Sequence, residues 1–388
     1  MQSHLDQFHA LSELLSRYKG DWQLMPFTQA TWPWPEMAGL EAFSADELDG
    51  LDLDGQRALI EPYRPGLFAW MQTELGAFAA EGPEPLARLS VGMKGRKWQQ
   101  ITDFSQAVRP VASVLEWCAG KGHLGRVYAS QGHAVKALEL QADLCEQGRE
   151  QARHWQLDHQ FVCADALSAD AAQYVRQDQH AMALHACGDL HSRLLQLAVK
   201  AGTEAVSISP CCYHLIATEY YQPLSSAGRQ WDLTLTPFDL RLPLQELVTG
   251  GERASRLRHL EQQYRLGFDA LQRALTGVNA YLPVPNAPKS LFTGDFAGFA
   301  RWAADKKGLA LSAGINWQHY LALGQARQQV VRRMDWVRHW YRKPLELWLL
   351  LDRVCFLEEA GYQVSLGTFT DKQHTPRNAL IDARRGRF

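Results

Sequence analysis

Glu116 stands four residues before Gly120 in the stretch Val114-Leu115-Glu116-Trp117-Cys118-Ala119-Gly120-Lys121-Gly122-His123-Leu124-Gly125. Glycines so placed suit a tight turn that lets a ligand approach the backbone, with the positive end of a following helix aimed at it. The Gly-x-Gly-x-x-Gly spacing also satisfies the dinucleotide fingerprint, and Glu139 follows Gly120 by 19 residues. Glu116 separates two chemistries. A carboxylate beside the turn repels a pyrophosphate and attracts a ligand that carries an ammonium and a sulfonium. Two unit charges about 4 Å apart interact by about 4 kcal/mol at an effective dielectric near 20, so the sign decides. S-adenosylmethionine fits that sign. A nicotinamide dinucleotide, and with it an oxidoreductase, is the alternative. Glu139 can accept hydrogen bonds from a ribose diol, and Asp165, in Cys163-Ala164-Asp165-Ala166-Leu167, is placed to meet an adenine amino group.

Methyl transfer from a sulfonium needs an in-line nucleophile and orientation more than an elaborate catalyst, and orientation alone can contribute about 7–11 kcal/mol. His185 and Asp189 fall where a substrate-facing loop should begin and can line an acceptor site. Their structural alternative is a His bonded to a neighbour and an Asp capping the next helix. Cys211, Cys212 and His214 come one strand later. A nucleophilic thiolate there, as in cytosine-C5 methylation of RNA, needs a lowered pKa, which an imidazolium at His214 would supply. Buried, inert thiols are the alternative. Vicinal cysteines do not readily share one tetrahedral ion, and the usual ligand spacing is missing, so no metal site is expected.

Basic residues are concentrated on the substrate side. From Gln325 to Lys343 there are six (Arg327, Arg332, Arg333, Arg338, Arg342, Lys343) against one acid, Asp335, with Trp336, Trp340 and Tyr341 interleaved. Arg and aromatic residues together can hold phosphates and stack bases. The alternative is an amphipathic helix with Val330, Met334, Val337 and Tyr341 inward and the arginines solvated. Lys94, Arg96 and Lys97 form a second basic cluster. RNA is therefore the leading acceptor expected, with a protein or a small molecule behind it. Between Glu36 and Glu61 eight acids accompany a single base, Arg57, and a solvated surface on short helices is expected there.

These residues need a sheet to bring them together. Short apolar runs at 111–117, 134–140, 160–164, 181–186 and 205–209 alternate with helix-like stretches, which predicts a doubly wound parallel sheet with right-handed crossovers. Residues 3–19 read as an amphipathic helix capped by Ser3, and 252–275 and 325–343 as long helices. Residues 362–369 and 378–383 read as a closing edge hairpin. The expected division is a mainly helical region over 1–109, the Rossmann-like cofactor core over 110–240, a helical Arg- and Trp-rich insertion over 241–360, and the hairpin over 361–388. A formal charge of -2 excludes a polybasic nucleic-acid binder, and seven Cys without CxxC pairs argue against a disulfide scaffold or zinc ribbon. Acids among the apolar positions of the first twenty residues are unlike a signal peptide, and apolar runs such as Leu347–Leu351 are too short to span a bilayer. A soluble, reduced, cytoplasmic protein is expected.

The stretches Glu116–Gly125, His185-Ala186-Cys187-Gly188-Asp189-Leu190, Cys211-Cys212-Tyr213-His214 and Pro376-Arg377-Asn378 resemble the class I methyltransferases, and more narrowly the group of methyltransferase-like protein 25. Met93-Lys94-x-x-Lys97 looks like that group's basic segment, and Leu347–Glu359 is similar to its late helix. The resemblance covers residues 90–388 discontinuously and leaves the first hundred aside. It implies an S-adenosylmethionine site at Glu116, Gly120, Gly122, Glu139 and Asp165, together with the adjoining Cys118, Ala119, Lys121 and Ala166, and substrate contacts at Lys94, Lys97 and Arg377. This chain departs from the common pattern at Cys118, where a Gly is usual, and that side chain is expected to narrow the methionine end of the pocket. The function expected is S-adenosylmethionine-dependent methylation, of RNA first. The rivals are a protein or small-molecule acceptor, NAD-dependent oxidoreduction, and a non-catalytic RNA- or protein-binding adaptor.

Overall fold

Five runs rich in Val, Leu, Ala and Ile form parallel strands: β1 (Ser113–Trp117), β2 (Val135–Glu139), β3 (His159–Cys163), β4 (Gln179–Cys187) and β5 (Ala205–Cys211). Two more, β6 (Tyr362–Thr368) and β7 (Ala379–Arg385), pair antiparallel with each other. The computed structural model describes residues 3–245 and 252–386. The seven strands make one sheet in the order β3-β2-β1-β4-β5-β7-β6, an α/β, Rossmann-like methyltransferase sheet with a C-terminal antiparallel hairpin. The hairpin enters through its second strand: β7 lies against β5, and β6 forms the edge.

Strand periodicity sends alternate side chains to two separate cores. Leu115, Trp117, Ala181, Ala183 and Ile208 face Leu194, Leu195 and Ala198 of helix Asp189–Ala201 and Leu350, Val354 and Leu357 of helix Arg342–Glu359. Val114, Val135, Met182 and Leu380 face Ile101 and Phe104 of helix Gly95–Ala107 and Leu124, Val127 and Tyr128 of helix His123–Ser130. Both faces are therefore covered, as is usual for a parallel sheet. Ser3 caps helix His4–Arg17 in a capping box with Asp6. That helix lies on helix Arg342–Glu359, where Phe8 stacks on Trp348 and the Trp348 Nε1–H donates to Ser12 Oγ at 2.8 Å.

The chain forms two compact units. The sheet unit comprises Met1–Tyr18, Gln72–Val248 and Arg342–Phe388, and the second comprises Lys19–Met71 and Thr249–Tyr341. The linear division expected from the sequence cuts across both, because the first helix and helix Arg342–Glu359 belong with the sheet. The single helix expected over 325–343 is two: Trp317–His339 ends at Trp340, and Arg342–Glu359 begins anew, with Pro344 in its first turn where proline is tolerated.

In the second unit, helices Glu252–Thr276, Phe296–Lys307 and Trp317–His339 enclose a core of Tyr264, Phe268, Phe292, Phe296 and Phe299. The acidic segment and the basic helix meet here. Arg332 pairs with Asp46 at 2.7 Å and Asp49 at 2.5 Å, and Arg333 donates to the carbonyls of Glu41 and Phe43. Arg327 pairs with Asp269 and donates to the Phe27 carbonyl, while Arg338 pairs with Asp335. In the sheet unit Arg342 donates to the Gln245 carbonyl and Lys343 pairs with Glu346. Trp340 and Tyr341 are buried. The six bases read as a phosphate-holding surface thus each have a partner within their own unit, and two of the three interleaved aromatics serve packing. No helix among the described residues is long and apolar enough to cross a membrane.

Candidate active site

The carboxyl ends of β1, β2 and β3 lie level, since Glu116 is in register with Ala137 and Glu139 with Cys163. Strand order reverses between β1 and β4, and crossovers leaving in opposite directions open a crevice at such a switch point. The acid–glycine turn occupies that edge. Glu116 is buried, and its Oε2 accepts the Gly125 N–H at 2.9 Å. That bond caps helix His123–Ser130, whose N-cap Gly122 is left-handed at φ 66°. An added Cβ at Gly122 would come within 2.4 Å of Phe161 and 2.5 Å of His159, so no side chain fits. Burial pushes the Glu116 carboxyl up to about 8, against the pull of the Gly125 and Leu124 amides and the charges of Lys97 and Arg126.

Glu139 spans the turn. Its Oε2 accepts the Gly120 N–H at 2.9 Å and its Oε1 the Gln141 N–H at 3.0 Å. Ala119 donates to the Leu138 carbonyl at 3.0 Å, which fixes the start of the turn against β2. Asp165 is exposed at the end of β3, with Oδ1 accepting the Leu167 N–H at 2.9 Å, and Ala166 beside it is buried. Lys121 is exposed at the tip of the turn. Cys118 carries φ 56°, a left-handed conformation that costs a non-glycine residue about 1–2 kcal/mol. That is the conformational reason a Gly suits this position. Burial first, then the neighbouring Glu139, Cys187 and Asp165, push its thiol up to about 12, so it stays neutral.

Cys118→Gly should tighten S-adenosylmethionine binding severalfold while moving the unfolding midpoint little. The relief of left-handed strain is largely offset by the freedom a glycine gains in the unfolded chain, about 0.5–1 kcal/mol, and by lost burial. Calorimetric titration checks it, and an unchanged or weaker affinity would show that the side chain does not narrow the pocket.

A second cluster lies beside the first, at the carboxyl ends of β4 and β5. The β4–β5 pairing shifts register between Leu184 and Cys187, and His185 in that irregularity has φ 63°. His185 Nε2 lies 2.9 Å from Gln100 Oε1, while the Gln100 amide nitrogen donates to the His374 carbonyl at 2.8 Å. With the amide so oriented, the proton sits on Nε2 and Nδ1 keeps its lone pair. Burial, then the charges of Arg377 and Lys97, brings His185 down to about 4. Asp189 caps nothing itself: Gly188 is the N-cap, and Asp189 Oδ2 accepts the Ala217 N–H at 2.8 Å, tethering the segment after β5. Gly188 is required here, because an added Cβ would lie 1.9 Å from the Leu215 carbonyl oxygen.

Cys187 and Cys211 are register partners with sulfurs 3.4 Å apart, and Cys212 at φ 47° joins them. Hydrogen bonds from Cys211 and Cys212 and the Arg377 charge bring Cys187 down to about 6, with burial opposing, while Cys211 and Cys212 rise. The thiols of Cys211 and Cys212 are therefore not the acidic ones, and their neighbour His214 is shifted away from the imidazolium form. Burial and the charges of Arg241 and Arg377 hold His214 below the usual histidine range. Its Nδ1 is buried without a partner. Arg377 donates to the Leu244 carbonyl at 3.4 Å, and its charge reaches His185, Cys187, Cys212 and His214. The charge of Lys97 reaches both Glu116 and His185; Lys94 is exposed at the N-cap of the same helix.

Three supporting groups escaped sequence reasoning: Gln100, Asp352 and Arg353. Arg353 is buried, its Nε donates to His191 Nε2 at 2.8 Å, and its guanidinium lies 5.2 Å from the Tyr213 ring centroid. An Asp-Arg pair inside the apolar run LWLLLDRVCFL was a signal for such a network, since charges are buried only with partners. A cavity of about 520 Å³ lined by Phe78, Arg109, Asp382 and Arg384 lies at the opposite, amino-end edge of β1 and β5.

The reversed strand order and the acid–glycine turn define a methyltransferase-type site, and residues 96–219 match the family model described as a methyltransferase domain. That match covers less than half of the chain. No curated protein matches. Solved structures that match include the Pyrococcus abyssi tRNA (uracil-54, C5)-methyltransferase in complex with S-adenosyl-L-homocysteine, at 20% identity over 29% of this chain and 27% of that one, with a TM-score of 0.24. TehB from Haemophilus influenzae matches at 13% identity over 28% and 38%, TM-score 0.23. A structure described under conversion of a disulfide bond into a thioacetal group during echinomycin biosynthesis matches at 20% identity over 25% and 43%, TM-score 0.22. The chain spans less than half the length of each. S-adenosylmethionine is the cofactor that goes with a methyltransferase domain, and the turn fits it. An added Cβ at Gly120 would meet nothing within 4 Å, so the backbone there borders open space. Glu116, Glu139 and Asp165 stand at or just beyond the carboxyl ends of β1, β2 and β3.

Proposed function

We propose that this chain transfers a methyl group from S-adenosylmethionine to RNA, as a relative of the methyltransferase-like protein 25 group. The observation that carries methyl transfer is the turn bracketed by two buried carboxylates at the switch point. Glu139, and a Glu116 that ionises when a cation binds beside it, favour a cationic ligand over a pyrophosphate, which supports this reading over the nicotinamide alternative. The residues of the β4–β5 edge bind and orient the acceptor: His185 presents an unprotonated Nδ1, Asp189 holds the segment after β5, and Arg377 supplies positive charge. The cofactor brings the methyl group and its sulfonium leaving group. None of these residues needs to move a proton unless the acceptor atom carries one.

The RNA reading rests on the first turn of helix Gly95–Ala107. Lys94 is its N-cap, Arg96 and Lys97 follow, and no acid lies in that turn. Helix dipoles favour the reverse charge at an N-terminus, so this arrangement costs folding stability and suits a bound phosphate. Lys94→Ala with Lys97→Ala should weaken binding of cellular RNA and reduce the slope of log affinity against log salt by about 0.7 per lost phosphate contact on single strands. Filter binding across a salt series measures it, and an unchanged slope excludes these lysines as phosphate contacts. For the reaction itself, tritiated cofactor incubated with fractionated extract from a deletion strain should label the RNA fraction. Label in protein or small-molecule fractions instead moves the acceptor to that class, and label in none favours the adaptor.

A further inference from the structure

Cys187, Cys211 and Cys212 are brought together from two adjacent strand ends, and their sulfurs all lie within 4.8 Å of one another. Among the described residues this is the one place where three groups able to ligate a metal come within mutual reach. Three thiolates about 2.3 Å from a tetrahedral ion stand about 3.8 Å apart, and the spacing here, 3.4 Å between Cys187 and Cys211 and within 4.8 Å for every pair, is compatible with that value. The objection from sequence was that neighbouring cysteines cannot share an ion. In a regular strand successive side chains point to opposite faces, but Cys212 leaves β5 with a left-handed φ of 47°, and its sulfur comes round to the same side as that of Cys211. We propose that Cys187, Cys211 and Cys212 form a three-thiolate site for a thiophilic d10 cation, with Zn2+ as the ion.

Soft thiolate ligands select zinc over the hard cations of the cell. With three protein sulfurs and no fourth ligand in the cluster, the site leaves one coordination position for water or an incoming donor, the arrangement of zinc sites that act on a ligand rather than only staple a fold. Ligation requires thiolates, so each thiol that is protonated in the free protein releases its proton on binding, and no electron changes hands. Arg377 nearby offsets part of the negative charge of three thiolates around a dication. The strain at Cys212, and the Gly188 backbone packed against the carbonyl of Leu215, hold the two strand ends in this arrangement without the ion.

The test uses the full chain, reduced and stripped of metal under anaerobic conditions, and does not depend on methyl transfer. Titration with Cd2+ should give one equivalent bound, with an ultraviolet sulfur-to-metal charge-transfer band of three-thiolate intensity. Competition with a chromogenic chelator should then place Zn2+ at the same stoichiometry, with proton release. Cys187→Ser and Cys211→Ser should each weaken Zn2+ binding at least tenfold, and Cys163→Ser, exposed and outside the cluster, should leave it unchanged. Circular dichroism and unfolding midpoints separate ligand loss from misfolding. If a serine variant fails to fold, Cys212→Ser and the Cd2+ band of the wild-type chain still decide. Absence of stoichiometric metal, a band of fewer than three thiolates, or equal affinity in the Cys187→Ser protein would overturn the site. A chain that forms a Cys187–Cys211 disulfide and binds no metal overturns it too.

Discussion

Glu116→Gln is expected to weaken S-adenosylmethionine binding at least tenfold at pH 8 and above, and to remove the proton exchange that accompanies it. The glutamine keeps the volume and, through its oxygen, the bond from the Gly125 N–H. Only the charge is lost. The sign follows from burial. With its pKa near 8, the Glu116 carboxyl of the free protein is mostly protonated at neutral pH, and a cation beside it favours the ionised form. Binding therefore releases a proton, and affinity from this group falls about tenfold for each unit below pH 8. The ligand's own α-amino group titrates around 7.7–8.0 and opposes the trend at higher pH, so the difference between wild type and variant isolates Glu116. Calorimetry in buffers of different ionisation enthalpy reads the released proton directly. Equal release in the Gln variant would show that Glu116 does not face the cation. Without ligand the same shift acts on folding. An acid raised from 4.5 to about 8 stabilises the folded state fully below 4.5, and that contribution disappears as pH rises through about 8.

Asp352→Ala is expected to cost about 3–5 kcal/mol of stability, the largest effect of any single change outside the turn. Asp352 accepts from the Leu224 N–H at 2.9 Å, the Ser225 N–H at 3.0 Å, the Ser225 hydroxyl at 2.7 Å and the Tyr221 hydroxyl at 2.5 Å, all buried. Its removal strands two buried amides and leaves Arg353 without the carboxylate it reaches through Tyr221, whose oxygen accepts from Arg353 at 3.1 Å. At about 2–4 °C per kcal/mol the melting temperature should fall by roughly 10 °C. Urea unfolding checks it, and a loss under 1 kcal/mol would show that water satisfies the segment. Asp352→Asn should fall between, since its oxygen serves some of these donors. The effect reaches the active site through Arg353, which lies against His191 and Tyr213.

The sheet was legible because its strands are short, apolar and separated by helix-length stretches. Each expected run overlaps an observed strand, down to the two that close the sheet after residue 360. The acid–glycine turn was legible because the residues that make it are adjacent in sequence. What stayed hidden depends on distant pairs. Nothing local says that Gln100 bonds His185, or that Asp46 and Asp49, which stay exposed, also pair with Arg332. The break between His339 and Arg342 was masked because the apolar periodicity runs on through Trp340 and Tyr341, both of them buried. Thiol acidity could not be read either. It follows from the hydrogen bonds and the Arg377 charge around Cys187, at the end of β4 rather than of β5.

The position of β7 has a consequence for how the chain is made. β5 is complete at Cys211, but its outer neighbour begins at Ala379, about 170 residues later. At synthesis rates of about 5–20 residues per second, the open edge of β5 waits roughly 10–30 s on the ribosome for its partner. During that interval a strand that is buried along its whole length in the finished sheet presents unpaired N–H and C=O groups, an arrangement prone to capture by another chain. The nascent protein therefore needs either a chaperone or a provisional cover for that edge, and the larger part of the second unit, Thr249–Tyr341, is translated while the sheet is still unfinished.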